Sequence, residues 1–184
     1  MRAITGSREV NLSIGDITME NVDAIVNAAN SRLIAGGGVD GAIHSKAGPT
    51  LTDQTREKYP QGCPTGSAVI TLAGLLQCRY VIHAVGPRWE EGGFHEAELL
   101  AGAYRRSLEL AADYECHSIA FPAISTGAYH YPPLQSARIA FEVVRDFESP
   151  RNMPDDIRFI LFSQPIYDAF VTALRETEGF EIDE

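Results

Sequence analysis

The sequence predicts an α/β sandwich around a mixed β-sheet. Short apolar or β-branched runs alternate with longer stretches of helical periodicity, which is the pattern of strands joined by covering helices. Residues 24–27 and 80–85 are almost wholly apolar, as strands buried on both faces are. The first two runs, residues 2–5 and 10–14, are joined at Gly6-Ser7 by a turn too tight for a crossover. They must therefore pair antiparallel, and the sheet must be mixed.

Taken in order, residues 2–5 and 10–14 alternate or run apolar and form strands. Gly15-Asp16-Ile17-Thr18 then leaves the end of the second as a loop. Residues 24–27 are the third strand. A helix is expected over residues 38–47, broken by Gly48-Pro49, and Pro49 suits the opening of another that runs to residue 58. Residues 59–66 hold two prolines and two glycines and form a loop. Residues 68–72 and 80–85 are strands, the latter ended by Gly86-Pro87. The glycine-containing loop 89–94 is expected to be mobile. Residues 96–114 give the strongest helix, with Leu100, Ala103, Tyr104, Leu108 and Ala111 on one face. A strand over 118–121 leads to a loop, 122–133, rich in Ser, Thr, Gly and Tyr. Leu134, Ala137, Phe141 and Val144 mark a helix over 134–147, with Pro133 suited to its first turn. A polar loop, 149–156, precedes a last strand, 157–162. Ile166, Phe170, Ala173 and Leu174 mark a last helix, and 176–184 read as an acidic, frayed tail.

The 184 residues suit one domain, 1–184, with a core that needs neither disulfides nor metal. A net charge of −10 argues against a general nucleic-acid binder but not against an anionic small ligand, which backbone N–H groups can hold. Cys63, Cys78 and Cys116 are odd in number, lack metal-ligand spacing and have no activating cation nearby, so they read as inert free thiols. The start of the chain has no signal-peptide pattern, and no run reaches the ~18 apolar residues of a membrane span. The expectation is a cytoplasmic monomer with no metal, cofactor or membrane partner.

The chemistry concentrates in residues 25–48. An apolar strand ends in Asn27 and Asn30; a link leads to Gly36, Gly37 and Gly38, and Asp40 falls in the first turn of a helix. Strand, glycine turn and helix start present N–H groups to a phosphate. A second glycine-bearing loop, Ser125-Thr126-Gly127-Ala128-Tyr129, also follows a buried strand, and the two loops would cradle a pyrophosphate between them. Each residue also has a local account. Asn satisfies its own backbone at strand ends, Asp in a first helical turn answers the helix dipole, and Asp16 caps a turn. His83, inside an apolar strand, reads as a satisfied core residue. Gly36 to Gly41 also fits the dinucleotide pattern G-x-G-x-x-G. The intervening polar link, 27–35, argues against a nicotinamide dehydrogenase.

The motifs together resemble a macrodomain of the MacroD-type branch, and the resemblance covers nearly the whole chain. They are G-D-I-T at Gly15, N-A-A-N at Asn27, G-G-G-V-D-G-A-I-H at Gly36, P-T-G-S-A at Pro64, Y-V-I-H-A-V-G-P at Tyr80 and P-A-I-S-T-G-A-Y at Pro122. The resemblance implies a three-layer α/β/α sandwich with an ADP-ribose cleft across the strand ends. Asp16 would hold the adenine amino group, Ile17 would flank the ring and Phe162 would pack on it. Gly37, Gly38 and Val39 would line one side of the diphosphate, and Ser125, Thr126, Gly127 and Ala128 the other. Asn27 would count among the binding residues, Asn30 would contact the distal ribose, and Tyr129 would cover it. The implied reaction is metal-free hydrolysis of mono-ADP-ribose from acidic side chains, and of O-acetyl-ADP-ribose, with Asn30 and Asp40 catalytic and a water oriented or deprotonated by Asp40. The alternative is a module that reads ADP-ribose without cleaving it. Two positions depart from the branch: Ala35 stands where a fourth glycine is usual, and His130 where glycine follows the aromatic of the second loop.

Overall fold

The computed structural model describes residues 1–183 and contains an eight-stranded mixed sheet with helices on both faces. The strands are β1 (Arg2–Thr5), β2 (Arg8–Ile14), β3 (Ala24–Ala28), β4 (Ser67–Leu72), β5 (Tyr80–Val85), β6 (Ser118–Phe121), β7 (Asp156–Leu161) and β8 (Glu181–Asp183). The helices are α1 (Gly38–Ala47), α2 (Thr50–Lys58), α3 (Glu96–Asp113), α4 (Pro133–Asp146) and α5 (Gln164–Glu176). Across the sheet the strands run β4-β5-β3-β6-β7-β2-β1-β8. As expected, β1 and β2 pair antiparallel. Among the described residues no helix is long and apolar enough to cross a membrane.

Side-chain alternation along each strand divides the core into two layers. Val26, Ile82, Ile119 and Phe159 face α3, α4 and α5, where Leu100, Tyr104, Phe141 and Phe170 meet them. Ile25, Val81 and Ile160 face the other way, against Ile43 and Ala47 of α1 and Leu51 of α2. Helices α3, α4 and α5 place their apolar stripes inward at the three- and four-residue steps visible in the sequence.

The end of the chain differs from the expectation of a frayed tail. β8 pairs antiparallel with β1, Arg2 opposite Asp183 and Ala3 opposite Ile182. The Arg2 guanidinium holds the Asp183 carboxylate at 2.5 Å, and Phe180 packs edge-on to Phe141. Without β8, the backbone of β1 would stand as an open sheet edge. The alternation of Phe180-Glu181-Ile182-Asp183 is a strand signal, hidden by the acidic composition around it. Glu184, the last residue of the expected tail, lies outside the described residues.

Five strands, β5, β3, β6, β7 and β2, are neighbours and parallel. Their C-terminal ends therefore share one edge of the sheet, which gathers the loops that carry the sequence motifs. The strand after β3 in this block lies to one side of it and β6 to the other. Such a reversal opens a crevice at the strand ends, where ligands of open α/β sheets bind.

Candidate functional site

A cleft of about 320 Å³ lies at this reversal, between the loop after β3 and the loop after β6. Asn30, Gly37, Gly38, Val39 and Asp40 line it from the first loop and the start of α1. Ser125, Gly127, Ala128 and Tyr129 line it from the second. Among the described residues no lysine or arginine lines it. What it offers an anion is backbone. Gly37 caps α1 without a side-chain hydrogen bond, so the first N–H groups of the helix remain available and carry the positive end of its dipole. Gly38 enters the helix at φ +59°, a conformation that costs a glycine little.

The Asn30 and Asp40 side chains meet beside Gly36. A methyl on Gly36 would stand 3.4 Å from Asp40 Oδ2 and 3.9 Å from Asn30 Nδ2. Asn30 is clamped to its own loop: Nδ2 donates to the Ile34 carbonyl at 2.7 Å and Oδ1 accepts from the Ile34 N–H at 3.3 Å. Asp40 is only 5% exposed, and both its oxygens are held. Oδ2 accepts from the Gly36 N–H, which ties the glycine loop to the helix. Oδ1 accepts from Asn27 Nδ2 at 2.6 Å and lies 3.4 Å from His44 Nε2. Burial pushes the Asp40 carboxyl up, but the hydrogen bonds from His44, Asn27 and Gly36 outweigh it and leave the group below its ordinary value.

Asn27 does not line the cleft. Its position in β3, at 0% exposure, makes it a brace beneath Asp40. The same amide nitrogen donates to His83 Nδ1 at 3.2 Å. The acceptor Asp40 sets the orientation of the amide, which makes His83 Nδ1 an acceptor and leaves the ring proton on Nε2, 3.0 Å from Thr71 Oγ1. Asn27 and His83 are register partners across β3 and β5. His83 is thus buried, as the sequence implies, yet it also fixes the residue that fixes Asp40.

Burial, and after it the nearby His44, hold the His83 imidazole down at about 4, against the pull of Asp40. The unfolded chain binds a proton at this residue near pH 6.5 and the folded chain does not until much lower, so stability falls as pH falls between those values. From pH 6.5 to pH 5 His83 alone is expected to remove about 1.5 kcal/mol. Urea titrations at the two pH values check this: the loss should shrink by that amount in His83→Gln, and an equal loss in both proteins would assign it elsewhere.

The second loop is built under constraint. Ser125 is buried at φ +67°, and its hydroxyl has no partner. A non-glycine residue there carries backbone strain, which the surrounding contacts must offset. Tyr131 N–H donates to Ser125 O at 2.9 Å, and Ser136 Oγ donates to Ile124 O at 3.2 Å. Thr126 turns away from the cleft, with its hydroxyl donating to Ala123 O at 2.8 Å. His130 is exposed at φ +57°, a conformation that glycine adopts more readily. Ala35 is exposed and lies outside the left-handed region, so its methyl meets no backbone penalty.

At the far end of the edge, Asp16 and Phe162 leave the paired strands β2 and β7 side by side. Asp16 Oδ1 accepts from the Thr18 hydroxyl at 2.6 Å and the Thr18 N–H at 2.9 Å, bonds that lower its pKa. Ile17 is buried against Ile25, Ile43 and Ile160. Phe162 is 93% exposed.

Several residues that hold the site were not singled out from the sequence. The loop after β5, expected to be mobile, is fastened where it begins. Trp89 N–H donates to Tyr129 O at 2.8 Å, its ring lies 4.9 Å from that of Tyr131, and Glu96 accepts from the Glu90 N–H. Arg88 lies over the Tyr129 ring at 4.8 Å. Gly86 packs so closely under the second loop that a methyl there would collide with Ser125 Oγ and come within 2.6 Å of Ile124 Cγ2. The aromatic and glycine content of residues 86–94 was the available signal; their partners lie some forty residues on. The three cysteines are buried and free, and burial pushes the Cys116 thiol up to about 11, which keeps it an unreactive thiol.

Fold and site define an α/β sandwich with a glycine-rich cleft at its strand ends, lined by one buried carboxylate. The Macro domain family pattern matches residues 26–140, and the chain belongs to that family. It is 51% identical over 173 residues to a macro domain-containing protein of Caldanaerobacter subterraneus, covering 92% of this chain and 98% of that one. It is 51% identical over 158 residues to a protein of Enterobacter cloacae named O-acetyl-ADP-ribose deacetylase, covering 85% and 88% respectively. Among solved structures, the Oceanobacillus iheyensis macrodomain with ADP superposes with a TM-score of 0.88 at 39% identity, covering 95% of this chain and 94% of that one. The Trypanosoma brucei macrodomain in complex with ADP-ribose gives 0.78 at 39%, covering 89% and 68%.

Proposed function

We propose that residues 1–184 form one macrodomain that binds ADP-ribose and hydrolyses its esters, namely O-acetyl-ADP-ribose and mono-ADP-ribose linked to acidic side chains of proteins. The observation that carries this reading is the convergence of Asn30 and Asp40 on Gly36 at the mouth of the cleft. The N–H groups at the start of α1, with Gly37, Gly38 and Val39, hold one side of the diphosphate. The loop of Ser125, Gly127 and Ala128 holds the other, with Thr126 shaping its turn. Asp16 accepts from the adenine amino group through Oδ2, since Thr18 occupies Oδ1. Phe162, free at its strand end, lies on the adenine ring, an arrangement its apolar face suits, and Ile17 supports the ring from below. Tyr129 covers the distal ribose, and Asn30 Nδ2 faces its hydroxyls.

An ester is already activated, so a positioned water suffices for its cleavage. The lowered pKa of Asp40 keeps it charged at neutral pH and makes it a weak base. Its part is therefore to accept a hydrogen bond and orient the water or the ribose hydroxyl, rather than to remove a proton outright. The names of the relatives support the deacetylase activity.

The test is time-resolved release of ADP-ribose from a glutamate-linked, mono-ADP-ribosylated protein, run beside acetate release from O-acetyl-ADP-ribose. Both are expected well above the spontaneous rate. Tight binding of ADP-ribose with neither release would make the chain a reader. Gly86→Ala tests the part of the second loop in binding. The collision with Ser125 and Ile124 is expected to cost about 1–3 kcal/mol of stability and to weaken ADP-ribose binding about tenfold by displacing the second loop. Calorimetric titration with ADP-ribose reads the affinity, and wild-type affinity would show that the loop absorbs the methyl.

A further inference from the structure

Beyond the cleft, the loop after β3 continues as one wall of two further hollows. The nearer, about 480 Å³, shares Asn30, Gly86 and Tyr129 with the cleft and adds Arg88, Phe94 and Glu96. The farther, about 650 Å³, shares Ser31, Arg32 and Ile34 with the nearer and reaches Thr52, Arg56 and Tyr59. Each shares lining residues with the next, so the three stand side by side along this loop as a groove-like row that begins where the group attached to a bound ribose would leave.

The two hollows differ in charge. The nearer one carries both signs, Arg32 and Arg88 beside Glu90 and Glu96; Arg88 lies over Tyr129, and Glu96, only 2% exposed, accepts from the Glu90 N–H. The farther one has Arg32 and Arg56 in its lining and no carboxylate. Neither arginine makes an ion pair among the described residues, whereas Arg2, Arg79, Arg138 and Arg158 each hold an acidic side chain. On a chain of net charge −10, two unpaired arginines in an acid-free hollow are complementary to an anionic ligand.

We infer that this groove receives the acceptor protein, with the ester-linked residue in the nearer hollow and acidic side chains flanking it held by Arg32 and Arg56 in the farther one. The inference rests on the functional reading above and deepens it: the acceptor is an acidic segment in extended form. Each residue of an extended chain advances about 3.3–3.6 Å, so side chains a few residues from the linkage reach the arginines. O-acetyl-ADP-ribose has no such flank and makes no use of the farther hollow.

The test is equilibrium binding of four probes to the full chain and to the double variant Arg32→Gln/Arg56→Gln, which keeps much of each stem and removes the charge. The probes are free ADP-ribose, a glutamate-rich peptide carrying ADP-ribose through a hydrolysis-resistant amide, the same conjugate with glutamine flanks, and an ADP-ribosylated single-stranded RNA. Wild type is expected to bind the glutamate-rich conjugate about tenfold tighter than ADP-ribose at low salt, the gain of two exposed ion pairs. The gain should vanish in the double variant and in about 1 M salt, where the Debye length falls to about 3 Å. ADP-ribose itself should bind both proteins equally. Equal binding of conjugate and ADP-ribose by wild type overturns the inference alone, as does a gain that persists with glutamine flanks or in the double variant. A larger arginine-dependent gain for the RNA assigns the hollow to nucleic acid and overturns it too. Failure of wild type to bind ADP-ribose removes the functional reading and this inference with it.

Discussion

Asp40→Ala is expected to lower the turnover of ADP-ribose esters by at least about 100-fold while ADP-ribose still binds. Among the described residues the carboxylate is the only charged group lining the cleft, and it is held by Asn27, His44 and the Gly36 N–H. Alanine removes the acceptor that orients the reacting water or hydroxyl. It also frees the Gly36 N–H, so a modest loss of affinity, within about tenfold, is expected from one hydrogen bond. The backbone groups that grip the diphosphate remain. Asp40→Asn is expected to be nearly as poor. Both oxygens of Asp40 face N–H donors, and an amide can offer an acceptor to only one of them. The pH profile of kcat/KM provides the second readout. With the Asp40 pKa below its ordinary value, the group is charged throughout the neutral range and gives no acid limb there. An Asp40-dependent limb near neutrality would make it a general base with a raised pKa, contrary to its hydrogen bonds. Unchanged turnover in Asp40→Ala would remove it from the mechanism.

Phe159→Ala is expected to cost about 3–5 kcal/mol of stability, a large part of the roughly 5–15 kcal/mol that holds a domain folded. Phe159, fully buried in β7, is the centre of an aromatic cluster. Its ring stacks on Phe121 at 5.5 Å and meets Phe141 at 5.2 Å, Phe170 at 5.5 Å and Tyr104 at 6.4 Å. These partners come from β6, α4, α5 and α3, so the cavity left by alanine has walls on four elements and cannot close by a local shift. The same cluster bears on the site, because Tyr104 Oη accepts from the Ile124 N–H at 3.1 Å, at the base of the second loop. Urea unfolding gives the stability. A loss under about 1.5 kcal/mol would mean that the cluster repacks.

The features legible in the sequence were those set by near neighbours. Apolar alternation located most of the strands to within a residue or two, because successive side chains of a strand face opposite ways. Steps of three and four located α3, α4 and α5, and glycine and proline breaks bounded α1 and α2. Glycine clusters and the order of the motifs located both loops of the cleft, and with them Asn30, Gly37, Gly38, Val39, Asp40 and Tyr129. The alternation in β8 is too short to stand out within an acidic stretch, and the edge of β1 is what gives it a strand's partner.

What the tertiary structure alone decided depends on register and juxtaposition. Asn27 and Asn30 look equivalent in the sequence, flanking two alanines. The pleat turns Asn27 under α1, where it braces Asp40, and the strand ends before Asn30, which remains at the mouth of the cleft. His83 and Thr71 join that brace only because β5 aligns His83 with Asn27 and β4 lies beside β5. Arg32 and Arg56, twenty-four positions apart, line one hollow because α2 packs beside the loop after β3. Local chemistry repeats with a period short enough to read along the chain. The partners of a buried polar group are chosen by contacts far apart in sequence, and those exist only once the sheet has formed.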